Sequence, residues 1–139
     1  MPGPGWEPSF HAALDPTDGG SGLALVRDQL REWLQSAGLV DPVLHEILIA
    51  AGEACTNAVE HSGAQAGVGE PAAWIEGTCD ATQVRIVVTD RGRWKEPDLT
   101  AAATGRRGRG RLVMGSLADR MDIRTGPSGT VVELIKKRR

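Results

Sequence analysis

Hydrophobic residues recur at helical spacing between Asp41 and Gly63, and this pattern predicts the helix around which the chain is organised. Asp41-Pro42 is a typical helix start, because an aspartate accepts hydrogen bonds from free backbone amides and a proline fits the first turn. The apolar stripe of this helix comprises Leu44, Ile47, Leu48, Ala51, Cys55, Ala58 and Val59. We expect this stripe to face the core of the protein.

The opposite side of the predicted helix is polar. It carries Glu46, Glu53, Asn57 and Glu60, with His61 at its edge. Glu53, Asn57 and His61 are spaced four residues apart, so they lie along one face of the helix. The neighbours of this polar side are Ile49, Ala50 and Ala54, which are unusual on a solvated face. We therefore expect the side to line a cleft, and an ordinary amphipathic helix with its polar residues in water is the alternative.

The other elements follow from the same reading of period and turn residues. They are a strand at Ser9–Leu14, a helix at Gly22–Ala37, strands at Ala72–Cys79 and Gln83–Thr89, a helix at Arg111–Met121, and strands at Asp122–Thr125 and Thr130–Ile135. Gly38 is a natural helix stop, and the β-branched segment ending at Thr89 is expected in the centre of the sheet. This order predicts an α+β fold of two layers, with helices on one face of a mixed, mostly antiparallel sheet.

Composition limits the class of protein. The chain has 139 residues, a length typical of one domain, and a net charge of −2, which argues against a general nucleic-acid or membrane binder. The N-terminus lacks the features of a signal peptide and no apolar run approaches a membrane span, so we expect a cytoplasmic protein. Cys55 and Cys79 are expected to be reduced core thiols, with a disulfide as the alternative. Residues 1–8 are expected to be a flexible lead-in.

Asp90-Arg91-Gly92 directly follows the predicted central strand. A carboxylate at a strand end can accept a hydrogen bond from an exocyclic amine such as that of adenine, and a glycine lets a flat ring lie against the backbone. The alternative is an ordinary turn after a strand, for which this tripeptide is also typical.

A glycine-rich basic segment precedes the helix predicted to begin at Arg111. It contains Gly105, Arg106, Arg107, Gly108, Arg109 and Gly110. Glycine amides at a helix N-terminus hold phosphate, and arginines add positive charge there. A flexible loop and a small arginine patch for nucleic acid are the alternatives, and the lack of interleaved aromatics disfavours the second.

Glu53 and Asn57 supply two further chemical groups. The amide oxygen of Asn57 suits Mg²⁺, which takes few protein ligands when it also binds nucleotide phosphates. The carboxylate of Glu53, one turn away, can accept a proton as a general base. Each motif is weak by itself, and their order along the chain makes the combination specific.

These motifs resemble those of the GHKL ATPase superfamily, which includes gyrase B, MutL and the sensor histidine kinases. The segment EACTNAVEH resembles its N box, Asp90-Arg91-Gly92 its adenine-binding box, Gly108-Arg109-Gly110 its lid-end glycine box, and Gly129-Thr130 its terminal box. The resemblance covers residues 9–136, and residues 137–139 are expected to be a basic tail. Within the superfamily the chain looks most like the anti-sigma-factor serine/threonine kinases of the RsbW and SpoIIAB type.

The resemblance implies a Bergerat-type α/β sandwich that binds ATP with Mg²⁺, sequesters a sigma factor and phosphorylates an antagonist protein of the STAS class. By position it implies Glu53 as general base, Asn57 as Mg²⁺ ligand, Asp90 and Gly92 at the adenine, Gly108 and Gly110 at the phosphates, and Thr130 near the base through water. His61 matches a position commonly occupied in this branch, and Gly105, Arg107 and Arg109 are added as nucleotide contacts from the loop chemistry.

Two features separate this chain from the wider pattern. Arg111 stands where an apolar residue is more common, and no dimerisation helix pair with a phospho-accepting histidine is present, which disfavours a complete sensor histidine kinase. Family members commonly form homodimers. The alternatives to an anti-sigma kinase are a nucleotide-gated protein-binding regulator without kinase activity and the catalytic core of a larger multidomain regulator.

Overall fold

A computed structural model describes residues 9–14, 21–62, 73–91, 113–127 and 129–138. Its elements in chain order are β1 (Ser9–Leu14), α1 (Ser21–Ser36), α2 (Val43–Ser62), β2 (Ala73–Cys79), β3 (Gln83–Asp90), β4 (Arg120–Gly126) and β5 (Gly129–Lys137). Residues 113–117 form a further short helical segment before β4. The expected lead-in, residues 1–8, lies outside the described residues.

The five described strands form one sheet in the order β1-β2-β3-β5-β4, and each neighbouring pair is antiparallel. The third strand, β3, is therefore central, as its β-branched sequence predicts. The sheet alternates buried and more exposed residues along β2, β3 and β5, which is the period of a sheet covered on one face. The predicted α+β fold is confirmed.

Both long helices lie on the covered face of the sheet. α2 packs against β2, β3 and β5, while α1 packs against α2 and β1. The core between them consists of fully buried side chains from both layers, among them Leu14, Leu34, Ile47, Ile75, Val84, Ile86 and Leu134. α2 is thus enclosed between α1 and the sheet, and this position determines which of its faces are buried.

The burial of α2 extends to two of the three apolar neighbours of its polar side. Ala50 and Ala54 are 0% and 1% exposed and belong to the core, in agreement with the expectation that this is not an ordinary solvated face. The reason is that α2 contacts two layers, so small residues are buried beside the main apolar stripe. Ile49 alone of the three apolar neighbours is exposed to solvent, at 37%.

Helix α1 ends as its sequence predicts. Gly38 has a φ of +90°, and its amide donates to the carbonyl of Gln35, while the amide of Leu39 donates to the carbonyl of Leu34. A residue without a side chain adopts this left-handed conformation at little cost, which is why glycine so often follows a helix.

The helix predicted at Arg111–Met121 is too long at its C-terminal end. Within the described residues the helical segment ends at residue 117, and Arg120 and Met121 already belong to β4. They pair with Ile135 and Leu134 on β5, so hydrogen bonds to a distant strand replace the local helical ones.

The boundary of the expected basic tail is also corrected. Lys137 is the last residue of β5, and its amide donates to a carboxylate oxygen of Asp119 at 2.6 Å. The guanidinium of Arg138 donates to the backbone carbonyls of Ala37 and Asp80 at 2.6 and 2.9 Å. These contacts hold the end of the chain against the fold, because the guanidinium of Arg138 donates to carbonyls that lie just after the ends of α1 and β2.

Candidate functional site

Asp90 and Thr130 form the centre of the candidate site. Asp90 ends β3, Thr130 stands directly opposite it on β5, and both face the helix layer, where they are 3% and 0% exposed. The hydroxyl oxygen of Thr130 is buried and has no hydrogen-bond partner in the described part of the chain. Buried polar groups are nearly always hydrogen-bonded, so an unsatisfied hydroxyl beside a carboxylate marks a place suited to a ligand or a bound water.

Gly129 makes this close arrangement of two strands possible. Its φ is +141°, and a Cβ placed on it would overlap the backbone carbonyl oxygen of Asp90. A residue with a side chain would therefore push the start of β5 away from the end of β3. The sequence signal for this contact is the Gly129-Thr130 pair.

Arg91, the middle residue of the predicted adenine motif, lies next to the site but has a different contact. Its guanidinium carbon is 4.9 Å from the centre of the Trp74 ring, a cation–π geometry. Trp74 is on β2, opposite Thr89 of β3. Since neighbouring strand residues point to opposite faces, this contact holds Arg91 on the helix-free face while Asp90 points to the helices.

Glu53 and Asn57 are half-buried and one turn apart on α2. An ion pair between Glu46 and Lys136 shows that the first turns of α2 lie near the end of β5 that is far from Thr130. From Glu46 to Asn57 the helix rises about 16 Å, and β5 extends about 20 Å from Lys136 back to Thr130. α2 contacts β2, β3 and β5, and a course of the helix back along β5 from the Glu46–Lys136 pair would bring Asn57 toward the end of the sheet that holds Thr130.

Glu53 also borders an open groove between α1 and α2 with a volume of about 480 Å³. Arg27 and Arg31 line the groove from α1, and His45 and Gly52 line it from α2. Sequence reasoning did not identify the two arginines as part of a site. The available signal was their spacing of four residues, which places them on one face of α1.

The other predicted nucleotide contacts cannot be placed from the described residues. His61 lies in the last turn of α2, and its side chain is outside the description. Gly92, Gly105, Arg107, Gly108, Arg109 and Gly110 lie outside the described residues. Their roles stay predictions, and Arg111 also lies outside the described residues.

The two cysteines are free thiols and do not take part in the site. Both are buried, in agreement with the expectation of reduced core residues. Burial raises the pKa of Cys55 to about 12, against a smaller opposing effect of the positive charge of Arg27. Burial likewise raises the pKa of Cys79. Neutral thiols of this kind are poor nucleophiles. We therefore assign the chemistry of the site to its oxygen-bearing side chains.

The residues described fit an adenine nucleotide with Mg²⁺. The carboxylate of Asp90 is buried, the hydroxyl of Thr130 lacks a partner among the described residues, and Asn57 offers an amide oxygen. The described ranges contain no cluster of three or more His, Cys, Asp or Glu side chains placed to hold a metal. In nucleotide complexes Mg²⁺ takes only one or two protein ligands beside phosphates and water.

A five-stranded antiparallel sheet covered on one face by two helices defines an α/β sandwich. The sequence matches the histidine kinase-like ATPase domain over residues 18–136, and the chain belongs to this family. The resemblance to the GHKL superfamily is thereby confirmed.

Solved structures support the same assignment. The RsbU and RsbW domains of Rv1364c from Mycobacterium tuberculosis are similar at 28% identity, with a TM-score of 0.71 over 94% of this chain. This chain spans 32% of that protein chain. The resemblance to RsbW-type domains thus has a structural counterpart.

Two more distant structures share the fold alone. The SiaB-SiaC complex from Pseudomonas aeruginosa matches 91% of this chain and 87% of that chain, at 10% identity and a TM-score of 0.63. The histidine kinase domain of the blue-light activated histidine kinase from Erythrobacter litoralis EL346 matches 90% of this chain and 65% of that chain, at 18% identity and a TM-score of 0.51.

In the described part of this chain, no helix has both the length and the hydrophobicity needed to cross a membrane.

Proposed function

We propose that the protein is an ATP-dependent serine/threonine protein kinase that acts as an anti-sigma factor. It would hold a sigma factor and phosphorylate an antagonist protein of the STAS class. Membership of the histidine kinase-like ATPase family and similarity to a chain with an RsbW domain support this proposal. The observation that carries this proposal is the buried pair of Asp90 and Thr130. The hydroxyl of Thr130 has no hydrogen-bond partner among the described residues.

Nucleotide selection would depend on Asp90. Its carboxylate accepts hydrogen bonds, so it would bind the exocyclic amine of adenine and repel the carbonyl oxygen that guanine presents at the same position. Thr130 would add a water-mediated contact to the base, and Gly92 would let the ring lie against the backbone. The site should therefore prefer ATP to GTP.

Phosphoryl transfer would depend on α2 and the glycine loop. Glu53 would accept the proton of the attacking serine or threonine hydroxyl. The groove beside Glu53 would let the serine or threonine of the acceptor protein approach from solvent. Asn57 would hold Mg²⁺, which when bound neutralises charge on the phosphates. Gly105, Arg107, Gly108, Arg109 and Gly110 would hold the phosphates themselves.

A transfer assay with a matched pair of variants tests this proposal. With ATP and a STAS-class protein as acceptor, Glu53→Gln should lower the transfer rate by about 100-fold or more, because a general base contributes at least that much. Its affinity for ATP should stay near that of the wild type. Glu76→Gln is the control, since Glu76 is an exposed residue of β2 on the helix-free face of the sheet.

Each result of this assay has a clear meaning. Equal transfer rates in Glu53→Gln and wild type would refute the role of Glu53 as base. Tight ATP binding by the wild type without transfer to any acceptor would instead favour the nucleotide-gated regulator without kinase activity. The solved RsbW domain is joined to an RsbU domain in one chain, so the assay should include this chain both alone and in the longest protein that contains it.

A further inference from the structure

The open groove between α1 and α2 is large enough to hold a segment of another protein. Its volume is about 480 Å³, and Arg27 and Arg31 line it from α1. Along α2 its lining extends from Leu44 to Thr56 and includes Glu53. This part of α2 is about 18 Å long, which is the length of about five residues of an extended chain.

The two arginines stand in a defined order along the groove. Arg27 also lines a small cavity with Gly52 and Cys55, and its positive charge acts on the Cys55 thiol. Arg27 therefore lies at the level of Glu53, the residue after Gly52 on α2. Arg31 follows one turn later, about 6 Å along α1. A segment whose hydroxyl reached Glu53 would thus meet two positive charges beside it.

Both arginines are exposed, and their charges are available to a partner. Among the described residues, Arg27 makes no hydrogen bond or ion pair. Arg31 pairs with Asp28 on the same helix at 3.2 Å, and both side chains are exposed, so this ion pair is weak and easily exchanged. The carboxylates that line the groove are Asp41, which precedes α2, and Glu53. The α1 side of the groove therefore favours an acidic partner.

Gly52 is a second, independent indication that another chain occupies the groove. It lies inside α2, where a glycine lowers helix stability relative to alanine. A Cβ added to Gly52 would meet no heavy atom of any other described element within 4 Å. Packing within the described part of the protein therefore does not require a glycine here. A glycine in the lining lets another chain approach the backbone of α2 closely.

We propose that this groove binds an extended acidic segment of the acceptor protein, the segment that carries the serine or threonine to be phosphorylated. Acidic side chains of the segment pair with Arg27 and Arg31, while an apolar side chain covers Ile49, which is 37% exposed in the same groove. Side chains two positions apart in an extended chain are about 6.6 Å apart on one face, close to the spacing of the arginines. This inference rests on the proposed function, because it assumes that Glu53 acts on an acceptor hydroxyl.

Two synthetic peptides test the preference for acidic residues. Each contains one serine, one leucine and two further residues placed two positions apart, which are aspartates in the acidic peptide and asparagines in the neutral one. Binding to the full chain is measured by fluorescence anisotropy without nucleotide. The acidic peptide should bind at least about tenfold more tightly, because charged hydrogen bonds to arginine are stronger than neutral ones. Equal affinities for the two peptides, or binding of neither, would overturn the inference.

A charge-reversed double variant locates the binding. Arg27→Glu combined with Arg31→Glu should weaken binding of the acidic peptide at least about tenfold, since like charges then face each other. Arg120→Glu combined with Arg124→Glu is the control, because it changes the net charge equally at exposed positions on β4, on the helix-free face. This control should bind the acidic peptide as the wild type does. An equal loss in both double variants would indicate attraction to net charge alone and would contradict a docking groove.

Gly52→Leu tests whether the segment lies against α2. The added side chain projects into the groove, so it should weaken binding of the acidic peptide at least about tenfold, while circular dichroism shows a folded chain. Ala24→Leu is the control, since Ala24 is an exposed residue of α1 that does not line the groove. A folded Gly52→Leu variant that binds the acidic peptide as tightly as the wild type would exclude this groove as the docking site. If Gly52→Leu does not fold, the charge-reversed double variant decides the question.

The design separates this inference from the proposed function. Peptide binding is measured without nucleotide, so it does not depend on phosphoryl transfer. A wild type that transfers phosphate from ATP to a STAS-class protein but shows no preference for the acidic peptide would refute the inference alone. A wild type that binds the acidic peptide in the groove and transfers phosphate to no acceptor would refute the proposed function, and with it the acceptor role of the bound segment.

Discussion

The hydroxyl of Thr130 is buried without a hydrogen-bond partner among the described residues, and we expect such a group to lower the free energy of unfolding. A valine has nearly the same shape and no polar atom, so it would fill the same space without the desolvation cost. Retaining a threonine there is understandable if the hydroxyl binds a water or a ligand. At the scale of single residues, stability and binding are therefore expected to conflict.

Thr130→Val should raise the free energy of unfolding by about 1 kcal/mol, the usual order for a buried unsatisfied group. The same change should weaken ATP binding, because the contact to the base is lost. Urea denaturation and calorimetric titration measure the two effects. Thr89→Val is the matched control, since Thr89 is the neighbour of Asp90 on β3 and points to the helix-free face. Weaker stability together with unchanged ATP affinity would contradict the role given to Thr130.

At the scale of elements, the turn between β2 and β3 keeps these two strands in register. One carboxylate oxygen of Asp80 accepts from the amide and hydroxyl of Thr82 at 2.7 and 2.8 Å, and from the amide of Gln83 at 2.9 Å. Hydrogen bonds from Thr82 and Gln83 lower the pKa of Asp80. This register places Asp90, at the end of β3, opposite Ala73 of β2.

Asp80→Ala should destabilise the protein at neutral pH and lose this effect in acid. The folded pKa of Asp80 is below its usual value of 3.8, so its contribution is fully present above that value and disappears as the pH falls through the folded pKa. Urea denaturation at a series of pH values from 7 to 2 measures the difference in the free energy of unfolding between wild type and Asp80→Ala. Asp28→Ala, which removes an exposed aspartate of α1, is the control. A difference that persists at the lowest pH would contradict the assignment to the charged carboxylate.

At the scale of the whole molecule, the proposed site draws on both layers. Asp90 and Thr130 belong to the sheet, Glu53 and Asn57 belong to α2, and the layers are joined by the core and by the Lys136–Glu46 ion pair. A ligand that binds groups from both layers stabilises the folded protein as a unit, because the unfolded chain has no such site.

ATP with Mg²⁺ should therefore stabilise the whole chain against heat. At a concentration 100 times the dissociation constant, the expected gain is about 2.7 kcal/mol. Asn57→Ala should lose the part of this gain that depends on Mg²⁺, while Gln29→Ala, an exposed amide residue of α1, should keep it. Differential scanning calorimetry with ATP, with and without excess EDTA, measures both. An EDTA-sensitive gain of the same size in Asn57→Ala would rule out its role as metal ligand.

Much of the fold could be predicted from local patterns. The helical period gave the stripe of α2, the β-branched run gave the central β3, and Gly38 gave a helix end. These features depend on interactions within a few residues, which a single sequence displays.

Tertiary structure alone decided the remaining features, because each depends on residues far apart in the chain. Ala50 and Ala54 are buried since α2 lies between two layers, and Arg120 joins a strand since β5 supplies its partners. The opposition of Asp90 and Thr130, forty residues apart, follows from the pairing of β3 with β5. Periodicity shows which side of an element is apolar, but the partner of that side is determined only when the layers pack.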